Sequence, residues 1–201
     1  EHCGHIGIQQ LTVFAFSSEN WNRPASEVNR LMDLFMRTLD REAHELHKNR
    51  VRLRIIGDLS GFSPELRAKI DHATMMTANN DRTTLNVAAN YGGRWDICQA
   101  AQTCARHVQE GRIQPHEITE DYLAKQVCLD ADENPDLLIR TGGEMRISNF
   151  LLWQLAYTEL YFSPLYWPDF TPQALDDAIA TYKARDRRFG RTAEQVSQKS
   201  A

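Results

Sequence analysis

Thr83-Thr-Leu-Asn-Val-Ala-Ala89, running on into Asn90-Tyr-Gly-Gly-Arg-Trp95, decides the fold class. The first stretch, largely apolar or β-branched, reads as a buried strand. Gly92 and Gly93 then turn the chain, and Trp95–Glu110 reads as a helix stopped by Gly111. The same alternation extends both ways. Upstream, Gln10–Ser17 (QLTVFAFS) is a strand, and Glu27–Asn49 a helix with Ser26 as N-cap. Its residues Val28, Leu31, Met32, Phe35, Leu39, Ala43 and Leu46 recur at helical spacing. Arg50–Gly57 is a second strand, and Pro64–Thr77 a helix capped by Ser63. Downstream come a short helix, Thr119–Cys128, a strand, Asp136–Arg140, and a helical turn, Ser148–Gln154. A fifth strand, Glu159–Ser163, and a last helix, Thr171–Phe189, ended by Gly190, complete the pattern. Strand–helix alternation with continuous apolar strands predicts an α/β domain, an open, mostly parallel sheet flanked by helices.

Length fits that reading. At about 150 residues per domain, 201 residues predict one domain, placed over 1–190, with 191–201 a polar, frayed tail. Hydrophobic residues at 42% and charged residues at 25% exclude a disordered or collagen-like chain. A net charge of −4 argues against a nucleic-acid-binding domain. The longest apolar stretch, 149–161, is broken by Gln154, Thr158 and Glu159, well short of the ~20 residues of a membrane span. Cysteines 3, 98, 104 and 128 include no CxxC pair, which fits reduced thiols in a cytoplasmic protein. The opening Glu1-His2-Cys3-Gly4, without a Met, reads as a truncated start.

In open α/β sheets ligands bind at the carboxyl ends of strands. Three loops stand there: Ser17-Ser-Glu-Asn-Trp-Asn-Arg-Pro24, Asn90-Tyr-Gly-Gly-Arg-Trp95 and Arg140-Thr-Gly-Gly-Glu-Met-Arg-Ile-Ser-Asn149. All carry arginine, and all are expected to share one rim. Arginine offers a planar fork of donors to a phosphate-type anion, and glycine lets backbone N–H groups approach it. Neither a GxxxxGK[ST] nor a GxGxxG is present, so a nucleotide is disfavoured. Phosphate ligands commonly travel with magnesium, which needs only one or two carboxylates; Glu19, Glu144, Glu159 and Asp169 are candidates. By itself Asn20 reads as a turn-forming residue. His44-Glu-Leu-His47 is not HExxH, His2-Cys-Gly-His5 resembles a metal cluster only in composition, and no GxSxG elbow appears.

Phe16-Ser-Ser-Glu-Asn-Trp-Asn-Arg-Pro24, Asn90-Tyr-Gly-Gly-Arg-Trp-Asp96 and Arg140-Thr-Gly-Gly-Glu-Met-Arg-Ile-Ser-Asn-Phe-Leu-Leu-Trp-Gln154 closely resemble bacterial cis-prenyltransferases. Leu53-Arg-Ile-Ile-Gly-Asp58, Glu159-Leu-Tyr-Phe162 and Trp167-Pro-Asp-Phe170 agree. The resemblance runs from about Gly7 to Gly190. It implies a hydrophobic tunnel between helices and sheet, magnesium dependence and a homodimer. It also implies condensation of an allylic diphosphate, commonly farnesyl diphosphate, with successive isopentenyl diphosphates in cis, releasing pyrophosphate. In bacteria the product is the lipid carrier for cell-wall precursors, which implies a cytoplasmic enzyme with peripheral membrane contact for product release. Carried over, Arg140, Arg146 and Ser148 resemble the isopentenyl diphosphate clamp, with Ile147 among the substrate-binding residues. Ser17, Ser18, Glu19, Trp21 and Arg23 resemble substrate-site residues, Asn20 a proton acceptor after bond formation, and Glu159 a magnesium ligand. The Glu27–Asn49 helix resembles a tunnel wall. Met145 stands where some relatives carry histidine and takes no role. The family's aspartate-bearing Met-Asp-Gly-Asn-Gly-Arg-Trp loop has no counterpart in these residues, so the expectation is a fragment of the enzyme. The alternative is a non-catalytic partner subunit of another prenyltransferase. A phosphatase or nucleotide-binding protein fits less well, for want of phosphate-loop and nucleophile motifs.

Overall fold

The computed structural model describes residues 1–129 and 133–185. The chain divides into two compact units, Glu1–Glu133 with Asn149–Leu151, and Asn134–Ser148 with Leu152–Ala201.

The first unit is built on a parallel sheet of β1 (Gln10–Ser17), β2 (Val51–Ile56) and β3 (Thr83–Tyr91) in the order β1–β3–β2. Leu85 of central β3 lies opposite Leu11 and Leu53, and Val87 opposite Val13 and Ile55. Parallel neighbours need crossovers, and α2 (Ala25–Lys48) and α3 (Pro64–Thr77) supply them. Leu39 and Ala43 of α2 and Leu66, Ile70 and Ala73 of α3 bury with Leu53 and Ala89 in one core. Met32, Phe35, Met36 and Met76 pack against it only partly buried.

The opposite sheet face is less apolar than the sequence suggests. Asn86 is fully buried in β3, and its Nδ2 donates to Thr12 Oγ1 at 3.2 Å and Gln10 Oε1 at 3.3 Å. The outer edge of β2 is blocked by side chains: Thr77 Oγ1 accepts the Leu53 N–H at 3.0 Å, and Asn80 Nδ2 donates to the Val51 carbonyl at 2.7 Å. Such cover keeps an edge strand from pairing with another chain.

Helix starts follow local chemistry with one exception. Ser63 caps α3 by accepting the Leu66 N–H, with Pro64 in the first turn. Ser26 does not cap α2. The Pro24 carbonyl already accepts the Glu27 and Val28 N–H groups, so the helix begins at Ala25 and Ser26 lies inside its first turn. Helix α4 (Gly93–Gln109) starts two residues before the expected Trp95, with Gly92 as N-cap. A further helix, α5 (Glu120–Ala124), is shorter than the expected Thr119–Cys128, and Thr119 Oγ1 caps it by accepting the Tyr122 N–H. A short helix, α1 (His2–His5), has no counterpart in the sequence reading.

The second unit holds β4 (Leu137–Arg140) and β5 (Glu159–Phe162), paired in parallel with Leu137 opposite Glu159 and Arg140 opposite Phe162. The last described helix, α6 (Pro172–Lys183), begins after Thr171, whose Oγ1 accepts the Ala174 N–H. The helix stops at Lys183, where the Ala184 N–H closes on the Ala180 carbonyl, short of the expected run to Phe189; 186–189, the stop at Gly190 and the tail 191–201 lie outside the described residues. The helical turn expected at Ser148–Gln154 does not form. Ser148, Asn149 and Leu151 take φ values of +50°, +60° and +44°, left-handed conformations that interrupt a right-handed helix. Among the described residues no helix is long and apolar enough to cross a membrane.

Candidate active site

In the first unit, the chain leaves β1 through a 3-10 turn, Ser18–Asn22. The Ser17 N–H donates to Asn20 Oδ1 at 2.8 Å, half of a reciprocal capping box. The Asn20 amide oxygen thus orders the turn, as its bare sequence context suggests. Next to it, Glu19 Oε1 accepts from Asn149 Nδ2 at 2.7 Å, and Oε2 from Ser18 Oγ at 3.2 Å. Desolvation pushes the Glu19 carboxyl up, but hydrogen bonds from Asn149, its own backbone, Ser17 and Ser18 together hold it below its ordinary value.

Asn149 is the hub. Its carbonyl accepts the Gly93 N–H at 2.6 Å and its Oδ1 the Arg94 N–H at 2.9 Å, so it satisfies the first N–H groups of α4. Gly92 sits where nothing larger fits. A Cβ there would lie 2.6 Å from Ser18 Oγ and 2.8 Å from Asn149 Nδ2. The segments after β1 and β3 therefore meet, as expected of a shared rim, with Asn149 joining them. The first turn of α4 is also tied inward: Asp96, buried, accepts from Tyr91 Oη at 2.8 Å and from the Cys128 N–H at 2.9 Å. Burial, with Asp96 beside it, pushes the Cys128 thiol up to about 12, which leaves it inert as a nucleophile.

Two further residues of the first loop differ in setting. Arg23 pairs with Glu27 at 2.6 Å on the exposed start of α2. Trp21 is exposed, packs edge-on against Phe16 with centroids 5.2 Å apart, and donates from Nε1 to Asn90 Oδ1 at 2.7 Å.

In the second unit, β4 ends on Arg140 and the chain turns through Gly142 and Gly143 at φ +85° and +71°. The glycines are there for this backbone, not to aim N–H groups at an anion. The Gly142 N–H donates to the Leu165 carbonyl at 2.7 Å and the Gly143 N–H to the Ser163 carbonyl at 2.9 Å. That corrects the expectation that the turn itself cradles phosphate. Arg140 differs: its Nε is buried and has no hydrogen-bond partner. An unmet buried donor on a cation marks a place for an anion. Arg146, exposed, is ion-paired with Glu144, two residues away. Ser148 is exposed and Ile147 partly buried.

Glu159 opens β5, and its Oε2 accepts from Arg185 Nη1 at 2.6 Å. Among the described residues no three His, Cys, Asp or Glu side chains gather into a metal cage. A magnesium ion carried on substrate phosphates asks for only one or two carboxylates, so a lone Glu159 fits that mode and not an all-protein site. A groove of about 520 Å³ lies elsewhere in the first unit, along β2 and α3 between Arg52, Met75 and Cys128.

Asn90, Asn149 and Asp96 carry structural roles that the sequence alone does not announce. Their signal was weak but present: asparagine is the side-chain-bearing residue most at home in left-handed backbone, and a carboxylate in the first turn of a helix suits its dipole.

Comparison with known proteins bears on all of this. A prenyltransferase family model with the description "Putative undecaprenyl diphosphate synthase" matches residues 1–190. The chain is 58% identical over 198 residues to the (2E,6E)-farnesyl-diphosphate-specific ditrans,polycis-undecaprenyl-diphosphate synthase of Pseudomonas putida, covering 98% of this chain and 78% of that protein. It is 54% identical over 196 residues to an isoprenyl transferase of Neisseria meningitidis serogroup B, covering 98% and 77%. Among solved structures, lavandulyl diphosphate synthase from Lavandula x intermedia, in complex with dimethylallyl diphosphate, matches with a TM-score of 0.90 at 37% identity over 94% of this chain and 82% of that one. A probable undecaprenyl diphosphate synthase from Campylobacter jejuni matches with a TM-score of 0.85 at 38% identity, over 94% and 87%.

Proposed function

Because this chain belongs to the undecaprenyl diphosphate synthase family and is a cis-prenyltransferase, we propose that it condenses farnesyl diphosphate with successive isopentenyl diphosphates, residues 1–190 acting as one domain. The observation that carries this reading is the buried, unmet Nε of Arg140 at the end of β4. A guanidinium holds a diphosphate in a bidentate grip. Arg140, with Arg146, Ile147 and Ser148, takes the isopentenyl diphosphate. Ser17, Ser18, Glu19, Trp21 and Arg23 serve the allylic substrate.

Each cycle breaks the allylic C1–O bond, and the pyrophosphate leaves with its electron pair. The isopentenyl double bond supplies the pair that forms the new C–C bond, and C2 then loses a proton. An amide is too weak a base to keep that proton, so Asn20, oriented by the Ser17 N–H, only relays it to the released pyrophosphate. Positioning supplies part of the rate, because the arginine grip holds the alkene in line with the allylic carbon. Glu159 would help hold a magnesium ion carried on the substrate diphosphate, which when bound would supply charge stabilisation for the leaving group. The partly buried layer of Met32, Phe35, Met36 and Met76 supports a tunnel along α2 and α3. Each CH₂ hidden there gains about 0.8 kcal/mol. A second copy of the chain completes a homodimer, and the product leaves toward a membrane surface.

The test is incorporation of labelled isopentenyl diphosphate into butanol-extractable lipid by the full-length protein, with farnesyl diphosphate as primer. Elongation that stops on chelation is expected. Incorporation without primer, or none with it, overturns the reading.

A further inference from the structure

Asn90, next to last in β3, adopts a backbone few side chains tolerate, with φ +51°. It is buried, and three hydrogen bonds hold it. Its carbonyl accepts the Asp58 N–H at 3.1 Å, its Nδ2 donates to the Asp58 carbonyl at 2.6 Å, and its Oδ1 accepts from Trp21 Nε1 at 2.7 Å. An indole N–H only donates and a carbonyl only accepts, so the amide has one orientation. One side chain thus ties the turn after β1 to the segment after β2. The backbone beside it has no slack: at Gly57, φ +126°, a Cβ would stand 2.1 Å from the Ala89 carbonyl oxygen.

Trp21 is the exposed end of an aromatic row. Its ring meets Phe16 at 5.2 Å and Phe62 at 6.2 Å, and Phe62 meets Phe35 of α2 at 6.3 Å. The row leads to the apolar layer of α2 and α3. A half-exposed indole can satisfy its N–H with water and tilt freely. Here a buried amide on the sheet fixes it. Glycine would fill the left-handed position without strain, so the backbone alone does not call for asparagine.

We propose that Asn90 is a positioning residue: through Trp21 it fixes an aromatic wall at the mouth of the apolar layer and so sets how the allylic hydrocarbon chain is bound. This rests on the reading that Trp21 serves the allylic substrate. Asn90 itself need touch no substrate.

Two variants of the full-length protein separate this from a merely structural role. Asn90→Gly keeps the backbone conformation and deletes the amide. Asn90→Asp tolerates the same conformation and keeps an oxygen for Trp21, at the cost of the donor to Asp58. Asn90→Gly is expected to raise KM for farnesyl diphosphate about five- to tenfold, the scale of one lost hydrogen bond, and KM for isopentenyl diphosphate less than about twofold. Asn90→Asp restores KM for farnesyl diphosphate to within about threefold of the unmodified protein. The Trp21 indole N–H resonance, assigned as the one lost in Trp21→Phe, moves toward a solvent-exposed shift in Asn90→Gly but not in Asn90→Asp. Equal rises in both KM values in Asn90→Gly overturn the proposal, as does an unchanged KM for farnesyl diphosphate. So does an Asn90→Asp variant as impaired as Asn90→Gly while its indole signal stays in place. An unmodified protein that fails to turn over farnesyl diphosphate defeats the substrate reading instead, and an indole resonance unmoved by Asn90→Gly defeats the hold on Trp21 whatever the substrate.

Discussion

The segment around Asn149 and the turn after Arg140 are neighbours in sequence and opposites in chemistry. Around Asn149 the polar groups are spent on one another. Its carbonyl and Oδ1 take the first N–H groups of α4, its Nδ2 holds Glu19, and Gly92 leaves no room beside it. At Arg140 the glycine N–H groups are spent too, but the guanidinium Nε is buried and unmet. Both segments are polar, glycine-associated and arginine-bearing, so a sequence reading treats both as anion sites. Hydrogen bonding separates them: the polar groups of Asn149 hold the loop together, and the Arg140 Nε is left without a protein partner.

Breaking the unmet side of the comparison gives the largest effect. Arg140→Ala removes a charge-assisted grip worth about 1.5–3 kcal/mol, so kcat/KM for isopentenyl diphosphate is expected to fall about 10- to 100-fold in steady-state assays. Stability should change little, because the lost Nε has no protein partner. Breaking the matched side reverses the pattern. Gly92→Ala forces Ser18 and Asn149 apart at an expected cost of about 1–3 kcal/mol. Thermal melting would show it as a drop of several degrees, at about 2–4 °C per kcal/mol for a chain of this size. A third, smaller change sharpens the account of Glu159. Glu159→Gln keeps the shape but weakens the hold of Arg185 and removes the charge, so the magnesium concentration for half-maximal elongation should rise several-fold.

The smallest effect is a pH dependence. Because the Glu19 carboxyl lies below its ordinary value of 4.5 in the folded protein, the Asn149 link is fully present above that value and is lost as pH falls through the lowered one. A ¹³C titration of the Glu19 carboxyl by NMR checks it, and a midpoint above 4.5 would reverse the sign.

Local signals were legible, and tertiary ones were not. The apolar, β-branched and aromatic run in QLTVFAFS places β1 at Gln10–Ser17, and Ser63-Pro64 starts α3, because both depend only on adjacent residues. Ser26 looked like an equally good cap and is not one, since Pro24 already supplies the accepting carbonyl. The helical turn expected at Ser148–Gln154 fails for a tertiary reason. Asn149 turns left-handed where its backbone carbonyl accepts the Gly93 N–H and its side-chain amide meets the Arg94 N–H and Glu19, and no window around it encodes those partners. In the candidate site the motif residues were readable as residues. That the Gly142 and Gly143 N–H groups hold their own turn became visible only with their hydrogen bonds.

The most direct test of the central claim is calorimetric binding of isopentenyl diphosphate to the unmodified protein and to Arg140→Ala, with melting temperature measured on the same samples. The account predicts a Kd at least about tenfold weaker with a melting temperature within about 2 °C. An unchanged Kd, or a loss of binding accompanied by a large fall in melting temperature, would contradict it.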